Sequence, residues 1–305
     1  MNAPQTSGFL NIYKTVGPTS YDCIRVLRRI YESENIPPPR LGHLGTLDPL
    51  AEGVLPVALG SARKLVQFFG ADKVYLATIR LGLTTDTDDT LGATLTEADV
   101  SGVDEASIAE AIPGFIGEIE QVPPKFSAVN ANGVKAYKLA RAGSEFALGP
   151  RRVHISNIEL LRWVPPQLEV RLTVGRGTYI RSFARDLGAK LGVGGCVAAL
   201  VRESNGPFLA TDALTLDALV LDGVSGIIAA LSPPDYILDR FPRVDLTAEE
   251  GKAFSIGKTI PCPGVYDPAR SRLSVYDLEG FIGVGIISGG GHLRPYRIIR
   301  VLSGR

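Results

Sequence analysis

Hydrophobic and polar positions change period several times along this chain, and each change marks an element. Gly8 to Lys14 alternates with the two-residue period of a strand. Gly17-Pro18-Thr19-Ser20 then starts a helix whose apolar set, Ile24, Leu27, Ile30 and Tyr31, recurs at three and four residues. Pro37-Pro38-Pro39 stops any helix. Val54 to Leu59 is the unbroken apolar run of a buried strand, followed by a short helix through Leu65 and Phe69. Lys73 to Gly82 has strand composition, with Tyr75, Ala77, Ile79 and Leu81 on one side.

Further along, residues 104–112 carry a helical pattern, and Val153 to Arg162 with Leu168 to Val174 make two paired strands. Gly175 to Arg181 opens a helix that continues through Phe183, Leu187 and Leu191. Gln121 to Gly149 is the longest weakly patterned stretch. It holds Lys125, Lys135, Lys138, Arg141 and Tyr137, which suits a flap over a nucleic acid and equally a basic surface hairpin and helix. After Pro242 the texture turns to short strands, Arg272–Asp277, Phe281–Ile287 and His292–Arg297, with a Gly289-Gly290-Gly291 turn. The pattern predicts an α+β chain ending in a compact β-rich unit.

At 305 residues, the chain is long enough for one large domain and a small one, and 45% hydrophobic with 21% charged residues is an ordinary globular balance. No signal peptide and no membrane-length apolar run is visible, so a cytoplasmic protein without a membrane partner is expected. Cys23, Cys196 and Cys262 are odd in number and widely spaced, which fits reduced thiols. His43, His154 and His292 are too scattered for a metal site, and none is expected.

Lysine plus arginine balances aspartate plus glutamate at 32 each, which by itself does not suggest a nucleic-acid partner. The charges are sorted, however. Residues 151–200 hold eight basic side chains against three acids, 251–305 again eight against three, and 201–250 three against nine. Such sorting can build a phosphate-facing surface on a neutral molecule.

The candidate chemistry centres on Gly42-His43-Leu44-Gly45-Thr46-Leu47-Asp48-Pro49-Leu50-Ala51-Glu52-Gly53-Val54-Leu55-Pro56-Val57. Asp48 lies among aliphatic residues, where lost hydration raises a carboxyl pKa unless a cation or hydrogen bonds hold the charge. Pro49 steers Asp48 away from helix, toward a rigid loop. Local chemistry leaves two readings open, a functional carboxylate and an ordinary Asp-Pro turn. A second acidic stretch, Thr85 to Gly92, spaces Asp86 and Asp88 as a calcium loop would, with Glu97 at its last position. Its glycine comes one residue late and no flanking helices are expected, so the stretch reads as scaffold.

The Asp48 stretch resembles the aspartate motif of the TruB family, the tRNA pseudouridine-55 synthases, approximately G-H-x-G-x-L-D-P-x-A-x-G-x-L-P-V, and fills every fixed position. The resemblance covers nearly the whole chain. It implies a pseudouridine synthase-type mixed and antiparallel sheet with flanking helices over residues 1–240, with a thumb-like insertion at about 121–150. A small PUA-like RNA-binding domain would follow over 241–305. The implied reaction breaks the N1–C1′ bond of a uridine in the tRNA T loop, turns the base and joins C5 to C1′. No redox change or energy input is needed, so no cofactor is expected.

By the same resemblance, Asp48 is the catalytic aspartate and Arg181 its partner cation. Tyr75 stacks on the target uracil and can help take the C5 proton. Tyr179 and Leu200 line the uracil pocket, and His43 contacts flipped-out nucleotides. Lys64, after the Leu55–Gly60 segment, suits a phosphate contact and equally a solvated helix face. The resemblance also implies tRNA as the partner, with no obligatory protein or guide RNA, and a monomer.

Two departures stand out. The first family motif, Lys-Pro-x-Gly-x-Thr-Ser, reads Lys14-Thr15-Val16-Gly17-Pro18-Thr19-Ser20 here. The basic run that follows Leu200 in the family reads Val201-Arg202-Glu203-Ser204-Asn205-Gly206, which puts a phosphate contact there in question. The other classes to weigh are a non-catalytic tRNA-binding or folding helper, a guide-RNA-dependent synthase, and a carboxylate hydrolase, for which no second acid is well placed beside Asp48.

Overall fold

The computed structural model describes residues 7–131, 133–264, 272–288 and 290–300. Ten strands form one large sheet: β1 (Gly8–Lys14), β2 (Leu41–His43), β3 (Ala51–Leu59), β4 (Lys73–Leu81), β5 (Gly117–Gln121), β6 (Arg151–Val164), β7 (Gln167–Val174), β8 (Gly195–Asn205), β9 (Phe208–Leu209) and β10 (Leu214–Thr215). Its order is β10-β1-β3-β8-β4-β7-β6-β5, with β2 added to β3 and β9 to β8. Most neighbours are antiparallel, but β3 and β8 run parallel, as do β1 and β10. This is the mixed sheet that was expected.

The helices are α1 (Ser20–Ser33), α2 (Glu105–Ala111), α3 (Ala136–Arg141), α4 (Ile180–Lys190), α5 (Leu216–Ala229) and α6 (Ala248–Ser255). Thr19 caps α1 in a reciprocal box with Asp22, which is why the helix starts where Gly17-Pro18-Thr19-Ser20 predicts. The segment after β3 forms as a 3-10 helix, Gly60–Phe68, not an α-helix.

β3 explains its own unbroken apolar run. Leu55, Val57 and Leu59 enter the main core with α1, α4 and α5, while Val54 and Ala58 enter a second cluster on the opposite face. A strand buried on both sides has no polar position to alternate with. The second cluster also takes in Val284 and Ile299 from the C-terminal part, so the small β-rich unit docks against that face.

That unit is a five-stranded sheet of β11 (Arg243–Asp245), β12 (Ile260–Pro261), β13 (Arg272–Asp277), β14 (Gly280–Ser288) and β15 (His292–Ile298), ordered β11-β13-β14-β15-β12. Val244, Phe254, Leu273, Val275, Ile282 and Leu293 give it a core of its own. Gly289 of the expected triple-glycine turn lies outside the described residues. The 121–149 stretch contains a short hairpin, Asn130–Ala131 with Val134–Lys135, and then α3. No described helix is long and apolar enough to cross a membrane.

Candidate active site

Asp48 lies on the loop between β2 and β3, held from both sides. Ser20 donates its hydroxyl to the Leu47 carbonyl at 2.9 Å and accepts from the Leu47 amide at 2.8 Å, so the start of α1 grips the residue before the acid. Gly17 N donates to Pro49 O at 2.8 Å, and Ala51 N closes the turn onto Asp48 O at 3.1 Å. Leu47 and Leu50 are buried in the main core, where each contributes about 1.5–3 kcal/mol. With its neighbours pinned inward, Asp48 turns its carboxylate outward, and the side chain remains 38% exposed. This corrects the expectation of a desolvated acid: the leucines flanking it are greasy, but they face the core and not the carboxylate.

Arg181 comes from the first turn of α4 with a side chain only 6% exposed. Its Nε sits 2.9 Å from Asp48 Oδ2, an ion pair by distance although not an aligned hydrogen bond. Nη1 donates to Thr87 O at 2.9 Å and lies 3.7 Å from Asp89 Oδ2, and Nη2 donates to Phe126 O at 3.0 Å. One guanidinium thus joins the Asp48 loop, the acidic loop and the root of the 121–149 insertion. Its planar fork makes that possible where an ammonium would not.

The acidic loop is arranged around arginines. Buried Asp89 accepts from Thr87 Oγ1 at 2.7 Å and from Leu91 N at 3.1 Å, which aims its second oxygen toward Arg181. Asp88 adopts a left-handed backbone at φ 59° and pairs with Arg185 Nη1 at 2.9 Å. Burial pushes the Asp88 carboxyl pKa up, and Arg185 opposes it. Arg185, one helical turn beyond Arg181, also donates to Val122 O at 2.9 Å. Among the described residues, no group of three His, Cys, Asp or Glu side chains could hold a metal ion.

Tyr179 stands at the N-cap of α4 and is gripped by buried Gln121. Its N–H donates to Gln121 Oε1 at 3.0 Å, and Gln121 Nε2 donates back to Tyr179 O at 3.3 Å. Burial raises the Tyr179 phenol pKa, and the Asp48 charge pushes in the same direction. That coupling puts the phenol in the field of the acid.

Tyr75, Ala77, Leu200 and Arg202 share one face of the sheet. Tyr75 lies opposite Arg202 and Ala77 opposite Leu200 across the β4–β8 pair. Tyr75 and Leu200 are both buried. His43 ends β2, half-buried, with Nδ1 lacking a hydrogen-bond partner among the described residues. Burial lowers its pKa and the nearby Arg202 charge adds to this, which keeps the imidazole neutral at pH 7. Lys64 stands apart: exposed on the 3-10 helix, it donates to Ile298 O at 3.0 Å, toward the C-terminal sheet.

The structure therefore brings Asp48, Arg181 and Tyr179 together and sets Tyr75 and Leu200 on adjacent strands. Asp89, Gln121 and Arg202 are the site residues that reading the sequence missed. The acidic run signalled Asp89, but only as scaffold. Gln121 carried no signal at all.

Comparison with known proteins agrees with this geometry. Residues 28–180 match the family model described as TruB family pseudouridylate synthase (N terminal domain), and residues 242–299 match Pseudouridine synthase II TruB, C-terminal. The tRNA pseudouridine synthase B of Synechococcus elongatus (strain ATCC 33912 / PCC 7942 / FACHB-805) is 42% identical over 290 residues, 93% of this chain and 96% of that protein. That of Gloeobacter violaceus is 38% identical over 299 residues, 97% and 99% of the two chains. Among solved structures, a Cbf5-Nop10-Gar1 complex gives a TM-score of 0.71 at 25% identity, covering 97% of this chain and 85% of that one. An archaeal box H/ACA sRNP Nop10-Cbf5 complex gives 0.69 at 24%, covering 99% and 90%, a likeness of fold. Two family models and relatives matched almost end to end establish that this chain belongs to the TruB family of pseudouridine synthases.

Proposed function

We propose that the chain isomerises uridine 55 in the T loop of tRNA to pseudouridine, as a single protein without cofactor or guide RNA. The carrying observation is the 2.9 Å approach of Arg181 to Asp48 on a loop pinned from both sides. A carboxylate could attack the base, attack C1′ or take the C2′ proton. All three routes use the anion, and a fixed guanidinium is a charge partner for it.

The target nucleotide has to leave its stack, because N1 and C1′ are shielded inside a helix. Stacking of the everted uracil on Tyr75, at about 1–3 kcal/mol per base, repays part of that cost. Tyr179 and Leu200 complete the pocket walls, and His43, neutral and without a hydrogen-bond partner at Nδ1 among the described residues, suits a contact with a flipped nucleotide. The open side of Asp48 is where the uridine enters, so the base itself excludes water from the acid. We assign residues 1–240 to catalysis, about 121–150 to a thumb over the RNA, and 241–305 to RNA binding, with Lys64 meeting a phosphate near the junction.

The relatives that match over nearly their whole length are named tRNA pseudouridine synthase B, which supports tRNA as substrate. A non-catalytic tRNA helper would have no need of the paired acid and arginine. The test is purified protein on an unmodified tRNA transcript, read by carbodiimide primer extension. A stop at position 55 without added RNA supports the proposal. Binding without a stop favours the helper, and a stop only with a guide RNA favours the guide-dependent class.

A further inference from the structure

Arg202 is the largest side chain in the described chain with no exposed surface, and no carboxylate among the described residues pairs with it. Burying a cation without a counter-charge is costly unless hydrogen bonds replace its water. Here backbone carbonyls of the Asp48 loop supply them. Nη2 donates to Gly45 O at 3.0 Å, Nη1 to Thr46 O at 3.4 Å, and Nε to Val54 O at 2.7 Å. Gly45 and Thr46 lie on the loop before Asp48 and Val54 lies in β3 beyond it, so one guanidinium ties the loop to the strand that follows.

One motif glycine makes room for this residue, and a second lies in ordinary contact with it. Gly53, at φ 106°, lies against the Arg202 backbone so closely that a Cβ would stand 2.3 Å from Arg202 O. Gly45, at φ 146°, would place a Cβ 3.5 Å from Arg202 Nη1. The fourth contact goes to the neighbouring strand: Nη1 donates to the Tyr75 phenol oxygen at 3.4 Å. With a lone pair held by a charged donor, the Tyr75 hydroxyl proton is directed elsewhere. Arg202 also acts on its surroundings as a charge, adding to the burial that lowers the pKa of His43 and of Lys73.

We infer that Arg202 is a positioning residue for this reaction, tying the start of the Asp48 loop to β3 and holding the Tyr75 phenol oxygen in a set orientation. The inference rests on the roles proposed above for Asp48 and Tyr75. It also answers the departure after Leu200: this arginine faces inward, toward the loop, and is not a phosphate contact.

The test compares wild type, Arg202→Lys, Tyr75→Phe and the double variant on a tRNA transcript, with single-turnover rate, RNA dissociation constant and melting temperature. Lysine keeps the charge but cannot span three carbonyls and a phenol. Arg202→Lys is expected to slow turnover at least about twentyfold with affinity within about threefold of wild type. Because part of that effect passes through the phenol oxygen, the slowing should shrink at least about fivefold in the Tyr75→Phe background. A rate within about threefold of wild type overturns the inference, and so do slowing factors that simply multiply. If the lysine variant does not melt cooperatively, Arg202→Gln, which keeps an amide donor, carries the same comparison. An inactive wild type would instead refute the proposed function.

Discussion

Arg181 and Asp48 meet at 2.9 Å from two segments 133 residues apart in sequence, one on the first turn of α4 and the other on the β2–β3 loop. The arginine is nearly buried and the acid is not. The cation is therefore the fixed member, tied to Thr87, Phe126 and Asp89, and the acid is the member left partly exposed.

Removing the fixed cation should cost both fold and chemistry. Arg181→Met leaves the buried Asp89 carboxylate without its cation, a loss on the order of 3 kcal/mol. Differential scanning calorimetry should show a melting temperature lower by several degrees, with turnover abolished. Arg181→Lys should recover part of the stability and little of the rate.

Asp89→Asn separates these effects. The amide keeps the size of the side chain but removes the second negative charge from Arg181. Turnover should fall by about tenfold or more while tRNA affinity changes by less than about threefold, measured by single-turnover rates and filter binding. An unchanged rate would show that Asp89 does no more than shape its loop.

Gln121 grips Tyr179 through its backbone, so Gln121→Leu leaves the part-buried Tyr179 N–H unpaired, while the Tyr179 C=O keeps the Phe183 N–H. The expected loss is about 1–3 kcal/mol, seen as a lower denaturation midpoint. With Tyr179 in its proposed role as a pocket wall that takes no part in bond making, KM should rise more than kcat falls.

Lys73 carries a pH signature. Burial, with Arg202 adding, lowers its pKa from 10.5 to about 8. Below pH 8 the folded protein therefore holds a charge that it disfavours. Between 8 and 10.5 the unfolded chain binds the extra proton, so this group's contribution to stability rises with pH across that window. Lys73→Met should melt about 2 °C above wild type at pH 7, the side chain being only partly buried, and the gap should close by pH 10. A gap that widens with pH would contradict the assigned shift.

The elements legible in the sequence are those set by local rules. The α1 cap, the strand at Lys73–Leu81 and the β6–β7 pair follow from capping chemistry and periodicity, and all appear within a few residues of where the pattern sets them. The Asp48 loop was legible because proline, glycine and leucine constrain it locally. Arg202 and Gln121 were not, since each owes its role to segments brought together only by folding: Arg202 to carbonyls about 150 residues earlier, Gln121 to a helix start 58 residues later. The exposure of Asp48 was misjudged for a related reason. Its neighbours in sequence are apolar, but in space its carboxylate meets an arginine and solvent.

The central claim is that a single anion held beside a guanidinium carries out the glycosidic rearrangement. Asp48→Asn tests it most directly, because the amide matches the carboxylate in size and the position is too exposed to unsettle the fold. Incubated in excess over a T-loop transcript, this variant should bind RNA within about threefold of wild type and form no pseudouridine. Product formed at a rate near wild type would contradict the account.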